Sequence, residues 1–180
     1  MTKLTTWRAK PNPAGRDKIH GVPTAKQLNG EWAEIKNTSA ATMDLSGLQL
    51  SHTLYDKEGR PEQKPEVYWT AKKGLQLTAN GVLRVHTGHQ SGGLNLEDEA
   101  GADQHAYAEH GNFKLNNKEG DKLYLSTSTP DSAYYDQNVR EGAVLTRVGD
   151  KLVDLQAGNS GENAKPWGAP AVLGDSGKAA

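Results

Sequence analysis

Cysteine is absent from the 180-residue chain. Disulfide bonds, thiolate metal sites and cysteine nucleophiles are therefore excluded. Long apolar runs are absent too: no stretch approaches a membrane-spanning length, and the first residues lack the apolar core of a signal peptide. We therefore expect no membrane insertion and a cytoplasmic location, or secretion if a leader has been removed.

The sequence also lacks an excess of one charge. It has 21 basic and 22 acidic residues, which gives a formal net charge of -1. This balance does not favour nucleic acid or an anionic membrane as a partner, so any such contact would depend on a local cluster. The length suits one hydrophobic core better than two, which predicts a single domain.

Short alternating runs replace the apolar stripes that long helices need. Ala33 and Ile35 alternate with polar neighbours, as do Leu48 and Leu50. This period of two predicts strands with one buried face. The 20 glycines and 8 prolines favour many turns. The pattern predicts an all-β protein.

Later segments extend the pattern. Asn80-Gly81 stands between two alternating runs, Leu75–Leu77 and Leu83–Val85, which predicts a β-hairpin. Further strands are expected at Leu123–Leu125, Ala133–Asp136 and Ala143–Val148, in the last third of the chain.

Two stretches lack this regularity. Residues 88–111 are rich in Gly, Glu, Asp and Ala and read as a long loop insertion with one irregular helical turn. Residues 149–180 are rich in Gly, Ala and Pro and predict a flexible, mostly disordered tail. The expected organisation is a β domain over 1–148 that carries the insertion, followed by the tail.

An ordered series of motifs runs along the first four fifths of the chain. It comprises the lead-in Asn12-Pro13-Ala14-Gly15-Arg16-Asp17, the segments Glu31–Asn37, Asp44–Leu50 and Leu83–Gly88, the turn residues Asn116-Asn117 and Gly120-Asp121, and the strand Leu123-Tyr124-Leu125. In this order the motifs resemble the lead-in, opening strands, central strand and turn, and later turn and strand of the lamin tail domain family, in particular of its bacterial stand-alone members.

The resemblance implies an immunoglobulin-like β-sandwich. It also implies no catalytic residues and no cofactor, since the family supplies none to carry over. By analogy with lamins, the domain is expected to be a non-catalytic interaction or assembly module that binds a protein, with self-association or a DNA-associated role as other outcomes.

Histidines and acids in and near the insertion suggest a second hypothesis, a metal-dependent hydrolase. Their side chains are of the types that bind zinc or another divalent ion. These residues are His86, His89, Asp103, His105, Glu109 and His110. Because their spacing does not fix them around one ion, we expect solvated loop histidines that titrate near neutral pH and no metal site.

Two other patterns imitate known sites. Glu97, Asp98 and Glu99 offer oxygen ligands for calcium but lack the regular spacing of a calcium loop, so a hydrated acidic surface is expected. Ser51 and His52 offer parts of a catalytic triad, but no nucleophile-elbow pattern surrounds the serine. The acids near them in sequence are Asp44 and Asp56.

The hypothesis of a DNA-associated role rests on local clusters of basic residues. Lysines and arginines occur in two adjacent loops around a pair of aromatic residues, but glutamates interleave with the first group. The basic residues are Lys57, Arg60, Lys64, Lys72 and Lys73, the aromatics are Tyr68 and Trp69, and the glutamates are Glu58, Glu62 and Glu66.

The tryptophans suggest a groove or a packed core. For Trp32 and Trp69 we expect core or core-edge packing, because large aromatics dominate sandwich interiors. Trp7 remains a candidate groove residue, and Trp167, between a proline and a glycine, is a candidate docking motif in the tail.

Overall fold

The fold is mostly β-strand. A computed structural model describes residues 3–13 and 22–157. The helices in it are α1 (Ala25–Gly30), α2 (Leu96–Glu99) and a 3-10 turn at Gln90–Gly92. The strands are β1 (Leu4–Lys10), β2 (Trp32–Asn37), β3 (Met43–Asp44), β4 (Gln49–His52), β5 (Glu66–Thr70), β6 (Gln76–Leu77), β7 (Val82–His86), β8 (Gln104–Tyr107), β9 (Asp121–Leu125), β10 (Asp131–Tyr135), β11 (Leu145–Val148) and β12 (Lys151–Val153).

Ten strands form one sheet in the order β5-β4-β9-β10-β12-β11-β1-β2-β7-β8, and β3 pairs with β6 separately. The large sheet is nearly closed on itself. His110, which follows edge strand β8, donates from Nε2 to the carbonyl oxygen of Tyr68 on the other edge strand, β5, at 2.8 Å. The predicted all-β class is confirmed, whereas the immunoglobulin-like sandwich stays a prediction.

The core lies inside the curved sheet. Alternate residues of β2, β7 and β9 point inward and are fully buried, as the period of two requires. They include Ala33, Ile35, Leu83, Val85, Leu123 and Leu125.

The predicted hairpin at Asn80-Gly81 is wrong. The chain does turn there, since Asn80 has a φ of 59° and the amide of Gly81 donates to the carbonyl of Thr78. However, β6 pairs with β3, while β7 pairs with β2 and β8. The side chain of Asn37 at the end of β2 donates to the carbonyls of Leu77 and Thr78, which fixes the turn beside β2.

Other boundaries also differ from expectation. The insertion contains a full strand, β8, which pairs in parallel with β7. The predicted tail over 149–180 includes β12, which pairs with β11, so the boundary at residue 148 divides a hairpin. The rest of that tail, from residue 158, lies outside the described residues, as do residues 14–17 of the lead-in.

A glycine with a positive φ supports the turn into β9. Gly120 has a φ of 79°, and a β-carbon there would lie 2.6 Å from the carbonyl oxygen of Tyr135. We expect Gly120→Ala to destabilise the fold by clearly more than the roughly 1–2 kcal/mol that a left-handed conformation costs a residue with a side chain. Gly59→Ala is the matched control, because Gly59 has a φ of 76° but nothing within 4 Å of a β-carbon. Urea unfolding measures both, and equal losses would contradict the steric argument.

Candidate functional site

The outer face of β1, β2 and β7 carries charged residues that are buried beneath the insertion. Alternation in β2 places Trp32 and Glu34 opposite the core residues Ala33 and Ile35. The register sets Glu34 beside Arg84 of β7. This face is therefore a second, polar layer outside the hydrophobic core.

Glu34 is fully buried between two guanidinium groups. Arg8 donates to it from Nε at 2.6 Å and from Nη2 at 3.0 Å. Arg84 donates to it from Nε at 3.0 Å and from Nη2 at 2.7 Å. The remaining donors reach the insertion: Arg84 Nη1 donates to the backbone carbonyl of Asp98, and Arg8 Nη2 to that of Gly101.

Asp98 of α2 is another buried carboxylate in this polar layer. Its Oδ1 accepts from Lys10 Nζ at 2.7 Å and from Trp32 Nε1 at 2.9 Å. The guanidinium of Arg84 lies 4.0 Å from the centre of the Trp32 ring, a cation–π contact. We call this group the insertion clamp; its members are Arg8, Lys10, Trp32, Glu34, Arg84 and Asp98.

The acidic run predicted as a hydrated surface is therefore only partly so. Asp98 is 1% exposed because its neighbours on β1 and β2 bind it, whereas Glu97 and Glu99 are exposed. Its bound oxygen already accepts from Lys10 and Trp32, which gives no support to a calcium site. Trp32 is buried as expected, but against this polar layer.

Beside the clamp, the insertion presents an apolar side chain to solvent. Leu96, two residues before Asp98, is 84% exposed. Glu97 accepts from Lys10 Nζ at 2.9 Å, yet its side chain remains 64% exposed. We call Leu96, Glu97 and Glu99 the binding tip. The same short helix thus has one anchored residue and one strongly exposed apolar residue.

The structure brings two of the predicted metal-ligand candidates together. His86 Nε2 and His105 Nδ1 lie 2.9 Å apart, and the His86 ring stacks between His105 and Tyr107. His86 Nδ1 lies 2.7 Å from the carbonyl oxygen of Asn29; a carbonyl only accepts, so this nitrogen carries the proton. His86 Nε2 therefore accepts from His105.

The other candidates point elsewhere. His110 binds Tyr68 across the sheet edges, Asp103 accepts from the amide of Val82 at 2.7 Å, and His89 and Glu109 are exposed. No group of three or more histidines and acids that could hold a metal ion occurs within the described residues.

The expectation of solvated histidines is wrong for His86. Burial lowers the pKa of His86 from 6.5 to about 3, and the charges of His105, Arg84 and Lys10 act in the same direction, against the carbonyl of Asn29. Burial and Arg84 likewise lower the pKa of His105. These shifts favour the neutral form of both rings, of which His86 is buried and His105 is partly exposed.

His52 has different acidic partners from those near it in sequence. Its Nε2 lies 2.9 Å from Glu66, and its Nδ1 lies 3.2 Å from the buried carboxylate of Asp121. Asp44 binds Ser46, and Asp56 binds Arg60. Because two carboxylates occupy both ring nitrogens, this histidine is not placed to accept a proton from Ser51.

The charge around His52 produces the opposite pKa shift to that of His86. Burial alone lowers the pKa of His52, but hydrogen bonds and charge interactions with Asp121 and Glu66 outweigh it, so the pKa is raised. Glu66 also accepts from Lys114 at 2.9 Å. The pair of carboxylates thus favours the protonated form of His52.

The predicted DNA surface does not form as one aromatic and basic patch. Tyr68 and Trp69 are buried, so neither offers a ring face for stacking. Arg60 pairs with Asp56 and Glu58. Lys57, Lys64, Lys72 and Lys73 are exposed, in loops on either side of β5.

The three tryptophans within the described residues do not form a groove together. Trp7 is half-buried with Lys36 Nζ 4.3 Å above its ring, and Trp69 packs in the core, as expected. Trp167 lies outside the described residues.

Sequence reasoning missed the residues that define the site. Arg8, Lys10 and Arg84 occur in strands far apart in sequence, and no local motif connects them. Leu96 carried a signal that could have been used: an apolar residue directly before three acids in an irregular segment.

Comparison with known proteins adds no relative. No family model matches the chain, and no curated protein matches it.

Among the described residues, no helix has both the length and the apolar character needed to cross a membrane.

The clamp should dominate local stability. Asp98→Ala leaves Lys10 buried with only the exposed Glu97 beside it, and we expect the free energy of unfolding to fall by about 3 kcal/mol. Glu97→Ala removes the exposed partner of the same lysine and should cost less than about 1 kcal/mol. Urea unfolding gives both values. Similar losses in the two variants would show that Asp98 contributes no more to stability than the exposed Glu97 does.

The pKa values of the two buried histidines, His52 and His86, should lie on opposite sides of the ordinary value of 6.5. His86 has a lowered pKa, so its contribution to stability is present above pH 6.5 and is lost as the pH falls towards 3, by about 1.4 kcal/mol per pH unit. His52 has a raised pKa, so its contribution is present below pH 6.5 and is lost as the pH rises through its folded pKa. NMR titration of the imidazole signals measures both pKa values. A His86 signal that titrates near 6.5 would contradict the buried, neutral assignment.

Proposed function

We propose that this chain is a non-catalytic protein-interaction module with an immunoglobulin-like fold of the lamin tail type, and that it recognises a protein partner through the binding tip. The observation that carries the proposal is the contrast within α2: Leu96 is 84% exposed, while Asp98 is 1% exposed and bound to Lys10 and Trp32. Loops that a rigid scaffold holds in place often carry the residues that bind a partner.

Anchoring favours binding for a physical reason. A flexible loop loses conformational entropy when a partner orders it, whereas a loop already held in place loses little. The clamp fixes the base of the insertion at Lys10, Arg8 and Arg84. Leu96 is therefore presented before the partner arrives.

The tip also indicates the chemistry of the partner. Leu96 suits an apolar pocket, and the exposed carboxylates of Glu97 and Glu99 suit a basic rim around it. A few residues buried at the centre of a contact contribute most of its affinity, and rim charges contribute orientation and association rate.

The other two hypotheses have weaker support. Arg84 and Lys10 act on the His86–His105 pair, and their positive charge opposes binding of a metal cation. For DNA, the buried Tyr68 and Trp69 remove the aromatic part of the predicted surface.

The test is recovery of a partner by the full-length tagged chain from its native cells after mild crosslinking. Loss of a buried leucine anchor removes about 1.5–3 kcal/mol, so Leu96→Asp should weaken capture of the dominant partner about 10- to 100-fold. Leu155→Asp is the matched control, because Leu155 is 66% exposed and lies after β12, outside the insertion.

The control should bind as the unaltered chain does. A partner captured equally by the unaltered chain, Leu96→Asp and Leu155→Asp would show that recognition does not use the tip. Thermal unfolding of all three chains verifies that the substitutions leave the fold intact.

A further inference from the structure

A second surface lies on the outer face of the other half of the sheet. Residues that alternate with the core positions of β9, β10 and β12 point outward there and are partly exposed, and Val148 of β11 is 56% exposed. We call this surface the lysine–tyrosine face; it consists of Lys122, Tyr124, Tyr134, Val148 and Lys151.

The register arranges these side chains as neighbours across four strands. Tyr134 pairs with Lys122 on one side and with Lys151 on the other, and Lys151 pairs with Val148. This is one continuous cross-strand row, with Tyr124 diagonal to Tyr134 on the adjacent strand.

The face combines aromatic rings with positive charge. Lys122 Nζ lies 5.3 Å from the centre of the Tyr124 ring, and Lys151 Nζ lies 5.9 Å from that of Tyr134. Lys151 also forms an ion pair with Asp136. Tyrosine is enriched at the centres of protein interfaces because one ring offers apolar area and a polar end.

The binding tip has the complementary chemistry. It offers one exposed leucine and the exposed carboxylates of Glu97, which also pairs with Lys10, and Glu99. The face offers tyrosine rings, an exposed valine and two lysine side chains, of which Lys151 also pairs with Asp136. We propose that the binding tip of one copy of this chain docks on the lysine–tyrosine face of a second copy, with Leu96 against the tyrosines and the carboxylates beside Lys122 and Lys151.

This contact joins two different surfaces. The tip belongs to the insertion over β1, β2 and β7, and the face belongs to β9, β10, β12 and β11. Such a heterologous contact leaves a free tip at one end of each pair and a free face at the other, so it adds further copies unless a ring closes. A tip is also smaller than the roughly 800 Å² per partner of a stable interface, so we expect weak association.

The test uses sedimentation of the full chain from about 1 µM to about 1 mM, a range that covers weak association. The unaltered chain should form dimers and larger species as its concentration rises. Leu96→Asp removes the tip, and Lys122→Glu with Val148→Glu removes the face, so each variant alone should remain monomeric. Leu155→Asp should associate as the unaltered chain does.

The decisive sample is an equimolar mixture of the two variants. One retains a working face and the other a working tip, so the mixture should form dimers of one copy of each and nothing larger. Association should weaken several-fold at high salt, because the contact includes exposed charges. A monomeric unaltered chain at about 1 mM, association that survives Leu96→Asp, or a mixture that remains monomeric would each overturn the inference.

The inference rests on the proposed function, but the experiments distinguish failure of the inference from failure of the proposed function. If the chain is monomeric at all concentrations and Leu96→Asp still loses a captured partner, the tip binds a different protein and only the second-copy assignment is wrong. If Leu96→Asp affects neither capture nor association, both proposals fail.

Discussion

Burial of two carboxylates outside the hydrophobic core is the constraint on which the insertion depends. An ionised carboxylate is strongly destabilised away from water unless cations and hydrogen-bond donors meet it in good geometry. Glu34 has the guanidinium groups of Arg8 and Arg84, and Asp98 has Lys10 and Trp32. Because these partners come from β1, β2 and β7, they fix the insertion in the position where the charged groups of the clamp are paired.

The clamp divides the outer surface of the sheet into two parts. Over β1, β2 and β7 the outer face is covered and holds the insertion, whose exposed Leu96 supports the proposed recognition of a partner. Over β9 to β12 the outer face remains accessible and carries the lysine–tyrosine face. Both proposals therefore depend on the same division between an anchored and an accessible surface.

The two buried histidines illustrate how neighbours decide chemistry. His52 and His86 both occupy the last position of a strand and both are buried. Carboxylates surround His52 and raise its pKa, whereas a carbonyl, a second histidine and nearby cations surround His86, where burial lowers the pKa. The partners of His52, Glu66 and Asp121, lie on β5 and β9, so its state could not be inferred from Ser51 and the nearby acids.

Alternation alone determined the strand positions β2, β4, β7, β9 and the inward-facing residues Ala33, Ile35, Leu83 and Leu123, because a period of two is a local property of the backbone. Pairing was decided by the tertiary structure: β7 joins β2 and β8 rather than forming a hairpin with β6. The same is true of the candidate site. Charge pairs such as Lys10 with Asp98 join residues 88 positions apart, and only the folded register brings them within hydrogen-bond distance.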